Sequence, residues 1–141
     1  MKRTDRINQL IIGFHDVQRA VLRHKENQTH GIPFGQKTVL FTIASREKTN
    51  IKEISTVLQI TSGAATQHVE ALVREGMVSR TVDENDRRTV VITLTEEGQA
   101  LFRQLQKERL AKVSEFFADV SDEELDVFIE VIQKVKERIH P

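Results

Sequence analysis

A mainly α-helical chain with one small β-hairpin (α+β), arranged as a winged helix-turn-helix, is the fold class this sequence predicts. Three observations carry the prediction. Apolar residues recur at helical spacing over most of the 141 residues. A short polar segment, Thr61-Ser62-Gly63-Ala64-Ala65-Thr66-Gln67-His68, runs without a break into the apolar-striped Val69-Glu70-Ala71-Leu72-Val73-Arg74-Glu75-Gly76. A strand–turn–strand pattern follows, and its tip, Asp83-Glu84-Asn85-Asp86-Arg87-Arg88, is densely charged.

Taken in order, Ile7, Leu10, Ile11, Phe14, Val17, Val21 and Leu22 predict a first helix over residues 5–25. The segment from Asn27 to Gly35, with Gly31 and Pro33, breaks it. A second helix over 36–46 buries Val39, Leu40 and Ile43. Asn50-Ile51-Lys52-Glu53 has the form of a capping box, opening a short helix whose inner face is Ile51, Ile54, Val57 and Leu58. The helix over 61–75 is closed by Gly76. Strands are expected at 78–82 and 89–94, the second from the alternation of Val90, Ile92 and Leu94 with Thr89 and Thr93. Thr95 caps a long helix reaching about Phe117, with Glu96 and Glu97 in its first turn, where the helix dipole favours them. Ser121-Asp122-Glu123-Glu124 is a second capping box. The helix after it carries Leu125, Phe128, Ile129, Ile132, Val135 and Ile139 on one stripe, with Lys134, Lys136 and Arg138 toward its C-terminus.

The first helix and the last two hold more apolar stripe than the small central module can cover. A symmetric dimer built on those helices is the expected remedy. The length suits one domain.

Lysine plus arginine and aspartate plus glutamate each number 21, so the net charge is zero and a generic nucleic-acid coat protein is excluded. The charge is unevenly spread, +5 over residues 1–48, −1 over 49–95 and −4 over 96–141. No cysteine is present, which excludes disulfides, thiolate metal sites and thiol-based redox sensing. The apolar run Leu10-Ile11-Ile12 is too short for a signal peptide or a membrane span, so a cytoplasmic protein with no membrane partner is expected.

On a helical wheel with Val69 facing the core, Ala65, Leu72 and Val73 turn inward, and Ser62 roughly so. Gly63, Ala64, Gln67, Glu70, Ala71 and Arg74 turn outward. A small, mostly uncharged outward face suits a major groove. Gly63 and Ala64 let the backbone approach the duplex, Gln67 can pair with adenine, and an alanine methyl can touch a thymine methyl. Thr61, Ser62 and Thr66 suit phosphate or base contacts, and His68 lies at the edge of that face. In the hairpin, Arg87 and Arg88 can reach phosphates or a narrow minor groove, and a neighbouring carboxylate can orient a guanidinium.

The run Asp86-Arg87-Arg88-Thr89-Val90-Val91-Ile92-Thr93-Leu94-Thr95-Glu96-Glu97-Gly98 resembles the wing motif of the MarR family of bacterial transcriptional regulators. Val69 to Val78 is similar to the end of that family's recognition helix. The resemblance implies a single domain over 1–141. Within it, about 1–30 and 100–141 would be dimerisation helices and about 35–98 a winged-helix DNA-binding lobe. It further implies a homodimeric repressor of a pseudo-palindromic double-stranded DNA operator, and not an enzyme. Arg88 would be the minor-groove residue at the wing tip and Asp86 its orienting partner. Ser62, Gly63, Ala64, Thr66 and Gln67 would form the recognition surface. Gln67 stands where members often carry a basic residue, which weakens the expectation of guanine reading there.

Many proteins resembling this one are released from DNA by a small aromatic or anionic effector. Phe14, His15, Phe34 and Phe41 are the candidates for lining such a pocket, and core packing is the competing fate of each phenylalanine. The five histidines (His15, His24, His30, His68 and His140) have no zinc-ligand spacing, and no phosphate loop or nucleophile motif is present, so no cofactor is expected. Two rival readings stay open: a winged helix used for protein–protein contact, and a ligand- or metal-binding protein with no DNA role. A steep salt dependence of DNA binding excludes the first, and ligand-induced stabilisation without DNA affinity marks the second.

Overall fold

The computed structural model describes residues 1–23 and 31–140. The elements run α1 (Arg3–Arg23), α2 (Phe34–Ala44), α3 (Ile51–Leu58), α4 (Ser62–Arg74), β1 (Val78–Val82), β2 (Val90–Leu94), α5 (Glu96–Phe116) and α6 (Asp122–Ile139). They fall into two compact units, Met1–Phe102 and Arg103–Pro141, with the boundary inside α5.

The core of the first unit is built by α2, α3, α4 and the hairpin. Val39, Leu40 and Ile43 of α2, Ile54 of α3, and Ala65, Val69 and Leu72 of α4 are essentially without solvent contact. Val78, Val91 and Ile92 close the core from the sheet side. Each large side chain so buried contributes about 1.5–3 kcal/mol. Helix α2 starts at Phe34, two residues before the expected boundary. Pro33 occupies its N-cap with φ −59°, and no side chain caps the helix, so the start is set by the proline backbone.

Asn50 caps α3 as expected, its side chain accepting from the Glu53 N–H at 2.9 Å. The return half of the expected box is replaced. The Glu53 carboxylate instead accepts from the hydroxyl of buried Thr49, 3.0 Å away. Thr49 also pairs with the sheet, its carbonyl accepting from the Ile92 N–H at 2.8 Å. The helix-turn-helix and the hairpin are thereby tied through one residue. Val57, expected on the inner face of α3, is 47% exposed, because the core beside α3 is filled from the Ile54 side.

The turn into α4 uses Gln59 in the left-handed region (φ 53°), and Thr61 accepts from the Ala64 N–H as N-cap. At the other end Gly76 is left-handed (φ 75°), and the Met77 N–H closes on the Leu72 carbonyl at 2.9 Å. Strands β1 and β2 pair antiparallel, Val78 opposite Leu94 through Val82 opposite Val90. The expected alternation in β2 fails. Val90 is exposed while Val91 and Ile92 are both buried, since the middle of this strand is covered on both faces.

Thr95 joins the hairpin to α5. Its hydroxyl donates to the Gly76 carbonyl (2.6 Å) and accepts from the Gly98 N–H (3.0 Å), and its N–H donates to the Met77 carbonyl (3.0 Å). Helix α6 opens with a complete capping box between Ser121 and Glu124. Its stripe, Phe128, Ile129, Ile132, Val135 and Ile139, is exposed, as are Leu10, Phe14 and Val17 of α1. Among the described residues no helix is long and apolar enough to cross a membrane.

Candidate nucleic-acid interface

Helix α4 turns two different faces to its surroundings. Ala65, Val69 and Leu72 are buried, while Gly63, Gln67, Glu70 and Arg74 are exposed along the opposite side. Thr61 and Ser62 are exposed at the N-terminus, and Ala64 and Thr66 are half-buried at the flanks. Two inward expectations need correcting. Ser62 is exposed because the first turn extends beyond the core, and Val73 is 37% exposed because Leu72 fills the site beside it.

His68 is also half-buried. Its imidazole lies over Gly35 of α2, where an added Cβ would stand 2.5 Å from the ring. This residue therefore packs α4 against α2 rather than projecting from the outward face. The glycine that makes room for it lies in a different helix, so no local sequence pattern signals the contact.

The hairpin tip is ordered by its own aspartates. Asp83 Oδ1 accepts from the Asn85 N–H at 2.9 Å, and the Asp83 N–H donates to the Thr89 carbonyl at 2.9 Å. Asp86 Oδ1 accepts from the Arg88 backbone N–H at 3.0 Å, and Oδ2 accepts from the Thr89 hydroxyl at 3.2 Å. The Asp86 carboxylate thus orients Arg88 through its backbone, as short polar side chains do in tight turns. Arg87 and Arg88 are exposed. The guanidinium of Arg88 makes no ion pair among the described residues. A tip held rigid by carboxylates, with two uncommitted arginines on it, can meet a polyanion with little loss of backbone entropy.

Sequence reasoning missed one polar link. Arg80 Nη2 of β1 lies 3.6 Å from Glu70 Oε1 of α4, bridging the recognition-type helix and the hairpin. The signal was there in part: both positions fall on outward faces of adjacent elements. It also missed a shallow depression of about 720 Å³ whose lining includes Arg46, Glu47, Lys48, Lys52 and Glu53.

The four candidate effector residues meet different fates. Phe41 packs edge-to-face on Phe102, ring centroids 5.1 Å apart at 73°. Phe14 and His15 are exposed on α1, and Phe34 is exposed at the first residue of α2. His24 and His30 lie outside the described residues. No cluster of three or more histidine or carboxylate side chains able to hold a metal occurs among the described residues.

Known proteins share this arrangement. The sequence profile of the MarR family matches residues 35–90, the span from α2 to the first residue of β2. The HTH-type transcriptional repressor YetL of Bacillus subtilis is 26% identical over 135 residues, covering 93% of this chain and 81% of that protein. An HTH-type transcriptional regulator of Bacillus cereus is 32% identical over 101 residues, covering 71% of this chain and 67% of its own length. In three dimensions, a MarR family protein from Bacillus stearothermophilus superposes with a TM-score of 0.84 at 19% identity, covering 100% of both chains.

Proposed function

This chain belongs to the MarR family of transcriptional regulators, and on that premise we propose that it acts as a homodimeric repressor of a pseudo-palindromic operator. It is a DNA-binding regulator of the helix-turn-helix type. The observation that carries the finer reading is the pairing of two surfaces in one unit. One is the outward side of the N-terminal half of α4, where Ser62, Gly63 and Gln67 are exposed; the other is a self-ordered hairpin tip bearing Arg87 and Arg88. The helix suits a major groove, where Gln67 can read adenine and Thr61, Ser62 and Thr66 offer hydroxyls. Gly63 and Ala64 keep the approach close, Arg74 faces the backbone, and the wing reaches to the adjacent minor groove. His68 supports this surface from the α2 side.

Dimerisation is supported by the apolar side chains that α1 and α6 leave in solvent, among them Leu10 at 69% and Ile139 at 63%. Rows of this kind on two terminal helices are too extensive for a free surface and suit a symmetric second copy. The regions about 1–30 and 100–141 are the dimerisation helices of this reading, and about 35–98 the DNA-binding lobe. The protein works in the cytoplasm and by binding rather than by catalysis. A small aromatic or anionic effector that prefers a dimer with mismatched helix spacing would release it, with Phe14, His15, Phe34 and Phe41 as the residues to probe.

Arg88→Ala tests the wing. Operator affinity at fixed salt, read by fluorescence anisotropy, should fall by about tenfold, near the lower end of what one groove-bound side chain contributes. Sedimentation should be unchanged. Unaltered affinity would remove the wing from the interface.

A further inference from the structure

Glu70 is an awkward residue on a DNA-binding helix. It lies on the outward face of α4 between Gln67 and Arg74, and its side chain is 48% exposed, so on the reading above it carries a carboxylate toward a polyanion. Its spatial neighbour is Arg80, 3.6 Å away on β1 and itself 38% exposed. Arg80 stands on a stiff support. It faces Ile92 across the β1–β2 ladder, and the Ile92 N–H is bonded in turn to Thr49. A pair this exposed adds little to fold stability. It does keep the Arg80 guanidinium beside a carboxylate at the seam between helix and wing, and a guanidinium so placed can direct further N–H donors outward.

We propose that Arg80 is a further DNA-binding residue, a phosphate contact at the seam between α4 and the wing, positioned by Glu70 and screening that carboxylate from the duplex. The inference rests on the DNA-binding reading and extends it to a residue outside both the recognition surface and the wing tip. It also accounts for an acidic residue on that face: Glu70 is neutralised where it stands, and its negative charge is used to aim a positive one.

The test is a double-mutant cycle with a reference arm. Wild type, Arg80→Gln, Glu70→Gln and the double variant are titrated against a genomic duplex enriched by the wild-type protein, over a salt series, with Arg88→Ala alongside. Arg80→Gln should weaken binding about fivefold near 0.15 M salt and reduce the log–log salt slope by about 0.9, as loss of one phosphate contact requires. The loss should be equal on specific and shuffled duplexes, with the thermal midpoint unmoved. Glu70→Gln should weaken binding about twofold in the wild-type background, because Arg80 then loses the carboxylate that aims it. In the Arg80→Gln background it should recover part of the loss, because there the carboxylate faces the DNA unscreened. A purely structural link would not give that rescue. Full affinity and slope in Arg80→Gln, or a double variant that binds no better than Arg80→Gln, would overturn the proposal. If the wild type enriches no duplex and Arg88→Ala behaves like it, the regulator reading itself has failed and this inference falls with it. If Arg88→Ala weakens binding while the Arg80 cycle is flat, only this inference falls.

Discussion

A methyl group added at Gly98 would lie 1.9 Å from the Met77 carbonyl oxygen, whereas one added at Gly63 meets only the Thr61 hydroxyl, at 3.9 Å. Gly98 is required by the fold, since α5 crosses the backbone of β1's approach too closely for any side chain. Gly98→Ala should cost about 3 kcal/mol or more in chemical denaturation, the upper range for forced overpacking. A loss below 1 kcal/mol would mean that the Thr95–Gly98 turn yields easily. Gly63 is not required by the fold. Its φ is ordinary, its surroundings are open, and alanine is the better helix residue by about 0.5–1 kcal/mol. Gly63→Ala should therefore raise the denaturation midpoint while weakening operator binding, because the added methyl occupies the space through which the duplex approaches. A variant both more stable and equally tight would show that the α4 backbone does not come close to DNA. The glycine motif Thr95-Glu96-Glu97-Gly98 was legible in the sequence as a pattern, but its reason was not. The clash partner, Met77, lies across the hairpin, and no local rule points to it.

At the scale of elements, the caps carry most of the definition. Asn50, Thr61, Thr95 and Ser121 each accept from a backbone N–H at the start of a helix. Thr95 does more, since its hydroxyl also donates to the Gly76 carbonyl and so joins the end of α4 to the start of α5. Thr95→Val should lower stability by about 1–2 kcal/mol, the range for a lost cap with an orphaned partner. A thermal midpoint unchanged from wild type would deny Thr95 that joining role. These caps, and the existence and order of the elements, could be read from sequence because caps and periodicity are local. What escaped was set by long-range pairing. Glu53 was expected to return to Asn50 and went to Thr49 instead, because Thr49 is held in place by Ile92. Val90, Ile92 and Leu94 were expected from their alternation to share one face, yet Val90 is exposed and Val91 is buried beside Ile92, because the hairpin is covered on both sides at that point. His68 was placed at the edge of the reading face, and the cavity left by Gly35 draws it toward α2. In the wing, carboxylates beside arginines were visible in the sequence. That Asp86 would grip the Arg88 backbone rather than its guanidinium depends on the turn's geometry.

For the whole molecule, the neutral net charge and the exposed apolar helices belong to one account. In the proposed dimer, non-specific attraction to DNA would be kept low, and affinity would come from two small interfaces used together. Ile132→Glu, on the exposed stripe of α6, should leave the winged-helix unit folded and shift sedimentation from dimer to monomer. Operator affinity should then fall by about a hundredfold or more, as loss of a second linked contact predicts. A monomeric variant with full affinity would confine recognition to one subunit. The central claim is sequence-specific DNA binding, and the most direct test is one anisotropy titration of the 141-residue protein over a salt series. It compares a genomic fragment that the protein enriches with a shuffled duplex of equal composition. The account predicts at least about a thousandfold preference for the enriched fragment, with affinity falling steeply as salt rises. Equal, weak and salt-insensitive binding to both duplexes would contradict it.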